Sequence, residues 1–190
     1  MTQAQPVRRR DSAATKAAIN AAARTLFARD SYDNVGIREI ASLAGVDAAL
    51  VSRYFGSKEE LFAEVLCSGE RGEDVIGSEL EGLPERVADL LLDPDDEGKQ
   101  IDDMLIILNS SSSPTAGGMV RDSINERFHG PFAEIIGGEN AHIRAQLLGA
   151  MLLGVSISRQ TSGNFSTDPD LLLTLKKRIA DIVALAISPL

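Results

Sequence analysis

Residues 36–61 read GIREIASLAGVDAALVSRYFGSKEEL, and this stretch decides the fold. Ile37, Ile40, Ala41 and Ala44 fall at i, i+3, i+4 and i+7, one apolar face of a short helix. Gly45 is placed to end that helix, because glycine takes a left-handed position past a helix end without steric cost. Asp47 follows as an N-cap, with Val46 and Val51 flanking it as a hydrophobic staple. The second helix turns Val51, Tyr54 and Phe55 inward and stops at Gly56. Ser57 and Glu60 form an S-x-x-E capping box that opens a third helix. Two short helices joined by a glycine turn make a helix-turn-helix, whose second helix enters the DNA major groove. The competing reading is a plain helical hairpin.

Composition agrees with packed helices. Aromatics are 4% of 190 residues and tryptophan is absent, whereas strands favour aromatic and β-branched side chains. The expected fold is all-α, a three-helix helix-turn-helix head followed by a helical regulatory and dimerisation domain. Expected boundaries are a disordered basic arm over 1–11, the head over 12–56 and the second domain over 57–190. No uninterrupted apolar run of membrane-spanning length is read, and MTQAQPVRRR lacks the apolar core of a secretory signal. The single cysteine, Cys67, excludes an intrachain disulfide and fits a cytoplasmic chain.

Charge is unevenly divided. Residues 1–58 hold nine Lys/Arg against five acids, a net +4, so residues 59–190 carry −13 of the total −9. A basic head on an acidic body suits a protein that presents only its head to a polyanion.

Outside the central stretch, Ile19, Ala22, Ala23, Leu26 and Phe27 stripe a first helix over about Ser12–Ala28. The helix from Ser57 is expected to end or bend between Ser68 and Ser78, where glycines recur. Asp93–Gly98 reads as a solvated acidic loop, and no histidine or EF-hand pattern there supports a metal. Ser110–Gly118 reads as a break or mobile connection, and Gly130-Pro131 as punctuation after a helix to Phe128. Residues 139–162 form the most apolar helix, and Asp168 or Thr167 caps the last one.

The run AGVDAALVSRYFGSKEELF resembles the DNA-binding domain of TetR-type transcriptional repressors, whose pattern is roughly A-G-V-S-x-x-x-[LI]-Y-x-[HY]-F-x-[ST]-K-E-x-L. The similarity extends over about residues 12–66, with Leu26-Phe27, Tyr32 and Ile37–Ala41 in place. It implies a homodimer on a palindromic double-stranded DNA operator, released by a small apolar effector, with no cofactor. The DNA-contacting set would be Arg38, Asp47, Ala48, Ala49, Leu50, Ser52, Arg53, Tyr54 and Lys58. Arg38 and Arg53 are the long polar side chains; the alternative for Arg38 is a salt bridge, and for Tyr54 a place in the core. Ala48, Ala49 and Leu50 can touch thymine methyls only. Lys58 opposes its helix dipole, which fits a phosphate alongside.

Three departures from the family stand out. Ser31 occupies a turn position usually held by glycine, so Asp30 or Asn34 is expected to take the left-handed residue. Gly36 replaces a capping threonine or serine and supplies no hydroxyl to a phosphate. Ser52 replaces an aromatic. Met104, Ile107, Leu108, Phe128 and Phe132 are candidates for an effector pocket, or equally for core. Ile143, Leu147, Ala150, Met151, Gly154, Leu175, Ile179, Ile182 and Val183, on the last two helices, are candidates for the dimer interface. Two other readings remain: a helical interaction module whose head no longer reads DNA, and an enzyme, for which no catalytic motif or paired His/Cys set is present.

Overall fold

The computed structural model describes residues 7–69, 77–92, 99–163 and 165–190. The start of the expected arm, the middle of the glycine-bearing run and the acidic 93–98 loop lie outside the described residues. The described residues are helical and contain no strand, in line with the all-α expectation. They form two compact units: Met1–Gly69 with Asp102–Arg121, and Glu70–Ile101 with Asp122–Leu190. That division differs from a single boundary after Gly56, because the third helix of the motif and residues 102–121 group with the head.

The first unit contains α1 (Val7–Arg29), α2 (Ile37–Ala44), α3 (Ala48–Phe55) and α4 (Lys58–Cys67). Helix α1 begins at Val7, so the expected arm is helical from there rather than from Ser12. The local signals around α2 to α4 act as read. Gly45 adopts φ 69°, the Asp47 carboxylate accepts from the Ala49 amide at 2.8 Å, and Ser57 and Glu60 complete a reciprocal capping box. Helix α4 ends at Cys67, inside the expected window. Behind these helices Ile19, Phe27, Ile40, Val51, Leu61 and Phe62 are fully buried. Phe27 and Phe62 meet edge to face at 4.9 Å, and Tyr32 lies 5.0 Å from Phe62, geometries that aromatic quadrupoles favour.

Helix α6 (Lys99–Ser110) and the start of α7 (Gly117–Ile124) complete this unit. Three polar contacts fasten α6 to α1 and the turn after it. The Arg24 guanidinium pairs with the Asp103 carboxylate, Asn109 donates to the Ala28 carbonyl at 2.9 Å, and the Tyr32 amide donates to the buried Ser110 hydroxyl at 3.1 Å. The serine run after α6 breaks the helix, one of the two readings given for it, and forms a hydrogen-bonded turn. The Ser113 hydroxyl accepts from the amides of Thr115 and Ala116, capping the segment that leads into α7.

The second unit is built from α5 (Leu83–Leu92), the end of α7, a π-helical turn (Asn125–His129), α8 (Gly130–Ile136), α9 (Ala141–Ser162) and α10 (Pro169–Ile187). Gly130-Pro131 does not break the helix as expected. The π-turn carries it through: the Gly130 amide bonds to the Asn125 carbonyl, and the helix continues past a proline that lacks a donor. Leu83, Val87, Phe132, Leu148, Val183 and neighbours form the core. Arg144 is 3% exposed and donates to the carbonyls of Ile187 at 2.7 Å, Glu139 at 2.7 Å and Gly137. A buried cation is thus placed at the C-terminal ends of α8 and α10, where helix dipoles are negative. Asp168 caps α10, its carboxylate accepting from the Asp170 amide at 3.0 Å.

Candidate nucleic-acid interface

Helix α3 is fixed from behind. Val51 and Phe55 are buried in the head, while Ala49, Ser52 and Arg53 are exposed and Ala48, Leu50 and Tyr54 are half-buried. The i, i+4 spacing of Val51 and Phe55 sets this rotation. On α2, Ile40 and Ala41 are buried and Arg38 is exposed. Neither the Arg38 nor the Arg53 guanidinium has an ion-pair partner among the described residues, so the salt-bridge alternative for Arg38 finds no support. Both are free to donate to bases or phosphates, arginine offering a planar fork suited to either. Asp47 is exposed, but its carboxylate is engaged in capping α3, which makes it a residue that positions the helix.

Gly36 is the N-cap of α2 with φ −100° and no side-chain cap. The amides at this helix start remain donors for an anion. Lys58, the expected phosphate ligand, is half-buried. Its ammonium donates to the carbonyls of Tyr32 at 2.9 Å and Val35 at 3.1 Å and lies 4.0 Å from the Tyr32 ring centroid. The turn before α2 also departs from expectation. Asn140 is the one non-glycine with positive φ among the described residues, so neither Asp30 nor Asn34 takes a left-handed conformation. Instead the Asp30 carboxylate accepts from the Ser31 amide at 2.7 Å and the Asn34 amide side chain at 2.8 Å. The Tyr32 hydroxyl is buried, and that burial, with Glu59 nearby, pushes its pKa up.

The expected pocket residues fall in both units. Met104, Ile107 and Leu108 are half-buried on α6 in the first unit, whereas Phe128 and Phe132 belong to the second. Phe132 is completely buried in that unit's core, with Phe128 packed against it at 6.4 Å. A cleft of about 490 Å³ in the second unit is lined by Leu80, Pro84, Ile136, Arg144 and Ile187 among others, and by none of the five expected residues.

The dimer candidates also separate. Ile143, Leu147, Ala150 and Gly154 on α9 and Ile182 on α10 are exposed, and Met151 and Leu175 are half-buried. Ile179 and Val183 are buried in the core of the second unit. Leu171, Leu173 and Leu185 are exposed apolar residues that periodicity alone did not single out. Among the described residues, Ala141–Arg159 is long and apolar enough to cross a membrane by length and composition alone, a test that the core helix of a folded unit also passes. Ala145 and Leu148 on that helix pack into a core and Arg144 is anchored to it, so the helix is built into a folded unit.

A helix backed by buried Val51 and Phe55 and presenting arginine, after a glycine turn, is the geometry of a helix-turn-helix, and the family models that the chain matches are those of DNA-binding transcription regulators. The chain belongs to the TetR family. Residues 19–65 match the family model of bacterial regulatory proteins, tetR family, and residues 81–167 match that of the tetracyclin repressor-like C-terminal domain. A TetR-family regulator from Streptomyces coelicolor shares 28% identity at a TM-score of 0.53, covering 93% of this chain and 96% of that one. NalD from Pseudomonas aeruginosa, the secondary repressor of the MexAB-OprM multidrug efflux pump, has the same fold at 20% identity, TM-score 0.62, covering 88% of this chain and 96% of its own. A TetR-family regulator from a Rhodococcus species is similar at TM-score 0.64 and 16% identity, over 93% of this chain and 100% of that one. No curated protein matches the sequence.

Proposed function

We propose that the protein is a homodimeric repressor in the cytoplasm that binds a palindromic double-stranded DNA operator and is released by a small apolar effector. The observation that carries the DNA-binding part is the exposed surface of α3, with Ala49, Ser52 and Arg53 outward and Arg38 exposed on α2. Arg53 reads base edges, Ala49 and Leu50 favour thymine methyls, and Arg38, Ser52 and Tyr54 hold phosphate. Exposed Ile143, Leu147, Ile182 and Leu185 support pairing through α9 and α10, since apolar side chains so placed gain by being covered. Pairing doubles the DNA contacts and gives the site two-fold symmetry. The fold shared with NalD, itself a repressor, supports repression as the direction of control.

Effector coupling draws on α6. Because Asp103, Asn109 and Ser110 tie this helix to α1 and Tyr32, a ligand that displaces Met104, Ile107 or Leu108 also displaces the head. An inducer must bind the DNA-free arrangement more tightly, and operator must then weaken its binding by the same factor.

The test is selection of duplexes from a random pool by the full chain. A palindromic consensus, bound more weakly as salt rises, is the expected result. Arg53→Ala is expected to relax the consensus at one position in each half-site. Enrichment of no sequence would reject the reading.

A further inference from the structure

The two carbonyls that Lys58 engages belong to residues that are themselves buried. Tyr32 is 2% exposed and Val35 3%. Neither carbonyl lies in a helix, and a buried backbone acceptor left without a donor is costly. Val35 immediately precedes Gly36, the N-cap of α2, and Arg38 follows two residues later. Whatever holds the Val35 carbonyl therefore sets where α2 starts and where Arg38 is presented. Asp30 braces the start of this turn through Ser31 and Asn34, but Gly36 provides no side-chain cap at its end, where the Val35 carbonyl accepts from Lys58. The backbone is held on both sides of the Tyr32 Cα, its amide donating to Ser110 and its carbonyl accepting from Lys58.

A lysine in the first turn of α4 is unfavourable to the helix dipole. Two charge-assisted hydrogen bonds and the face of the Tyr32 ring outweigh that, and they do so without DNA. Two of the three ammonium N–H groups are committed to these carbonyls and the nitrogen lies over the Tyr32 ring, so swinging the side chain out to a phosphate would strip both carbonyls of their donor. We propose that Lys58 is a positioning residue that clasps the α1–α2 turn to the start of α4, and is not a phosphate ligand. The consequence for DNA rests on the proposed operator-binding function; the clasp itself does not.

The variant is Lys58→Met, which keeps the apolar stem and removes the ammonium. In the DNA-free protein, hydrogen exchange of the amides of residues 31–38 is expected to accelerate at least tenfold. Unchanged protection overturns the clasp. Binding to a duplex selected by the wild-type protein is expected to weaken about tenfold at every salt concentration, with an unchanged log–log slope, because no counterion is released by this residue. A slope shallower by about 0.9, the signature of one lost phosphate contact, overturns the proposal. Should the variant not fold, the wild-type Lys58 ammonium resonance in ¹⁵N-lysine protein decides: slow proton exchange without DNA, unaltered by adding duplex, is expected, and a shift on adding duplex refutes the assignment. If the wild type selects no duplex, the operator reading fails while the exchange measurement still judges the clasp.

Discussion

The two compact units solve the same problem, the unsatisfied backbone at helix ends, in different ways. In the first, the ends of α2, α3 and α4 are closed locally: Gly45 turns left-handed after α2, the Asp47 carboxylate caps α3, and Ser57 with Glu60 caps α4. In the second, a single buried cation does much of this work at a distance, Arg144 on α9 bonding to carbonyls that close α8 and α10. Local caps fail one helix at a time. A shared cation fails for several ends together, and its removal strands acceptors already withdrawn from water.

Arg144→Met is therefore expected to have the largest effect. It leaves three carbonyls without a donor in a side-chain environment that is 3% exposed, a loss of roughly 3 kcal/mol at the usual cost of an unsatisfied buried group. The melting temperature should fall by about 10 °C. Arg53→Met, at an exposed position, is the matched control and should leave it unchanged. Equal melting temperatures for Arg144→Met and wild type would show that the carbonyls find other donors.

A smaller loss is expected in the first unit from Gly56→Ala. Gly56 has φ 80°, and a Cβ there would lie 1.9 Å from Glu60 Oε2. Alanine would add the left-handed penalty and push Glu60 out of its bond to the Ser57 amide, about 2 kcal/mol together. Glu60→Ala, which loses the bond to the Ser57 amide and leaves Gly56 in place, separates the two parts by removing the capping bond alone. An unchanged denaturation midpoint for Glu60→Ala would mean that the capping box contributes nothing.

This contrast also explains what could be read in advance. Caps, glycine turns and the Val51/Phe55 spacing act within four residues, so 36–61 was legible to the level of individual hydrogen bonds. Arg144 bonds to a residue forty-three positions away, and Asn109 and Ser110 reach eighty-one and seventy-eight positions back, with no periodic signal to announce them. Helical periodicity does identify the apolar residues of α10, but not whether they face the core. Ile179 and Val183 turn inward, while Ile182 on the same stripe is 52% exposed. The Lys58 ammonium was visible as a dipole misfit, and its partners were not, because Tyr32 and Val35 accept through backbone carbonyls and the Tyr32 ring is brought under the nitrogen only by the fold.

A pH effect should distinguish the units further. Burial, and then the charge of His142, hold the pKa of the His129 imidazole below its usual value. The rings are 6.0 Å apart, and His129 Nδ1 lies 3.0 Å from Asn125 Oδ1. The unfolded chain takes up this proton near pH 6.5, before the folded one does. Stability from His129 is thus complete above about pH 6.5 and is lost as pH falls below it. His129→Gln should flatten the fall in melting temperature between about pH 7 and 5.5; superimposable profiles would exclude His129 as the source.

The smallest expected effect has the opposite sign. Gly36 caps α2 in an extended conformation, φ −100° and ψ 147°, that any residue adopts, and nothing lies within 4 Å of a Cβ built there. Gly36→Ser therefore fits without strain. Its hydroxyl can accept from an amide in the first turn of α2, which has no side-chain cap, and serine gains only a few tenths of a kcal/mol over glycine at such a site. In a chain of 190 residues that amounts to about 1 °C in melting temperature. The same hydroxyl can instead donate to a phosphate beside Arg38. Being neutral, it would strengthen binding to a selected duplex without changing the salt slope, since no further charge is neutralised. A steeper slope would show that the substitution had moved Arg38 or the helix start. A lower melting temperature would show that the turn from Ser31 to Gly36 needs glycine's freedom after all, and that the clasp on the Val35 carbonyl does not by itself hold α2 in place.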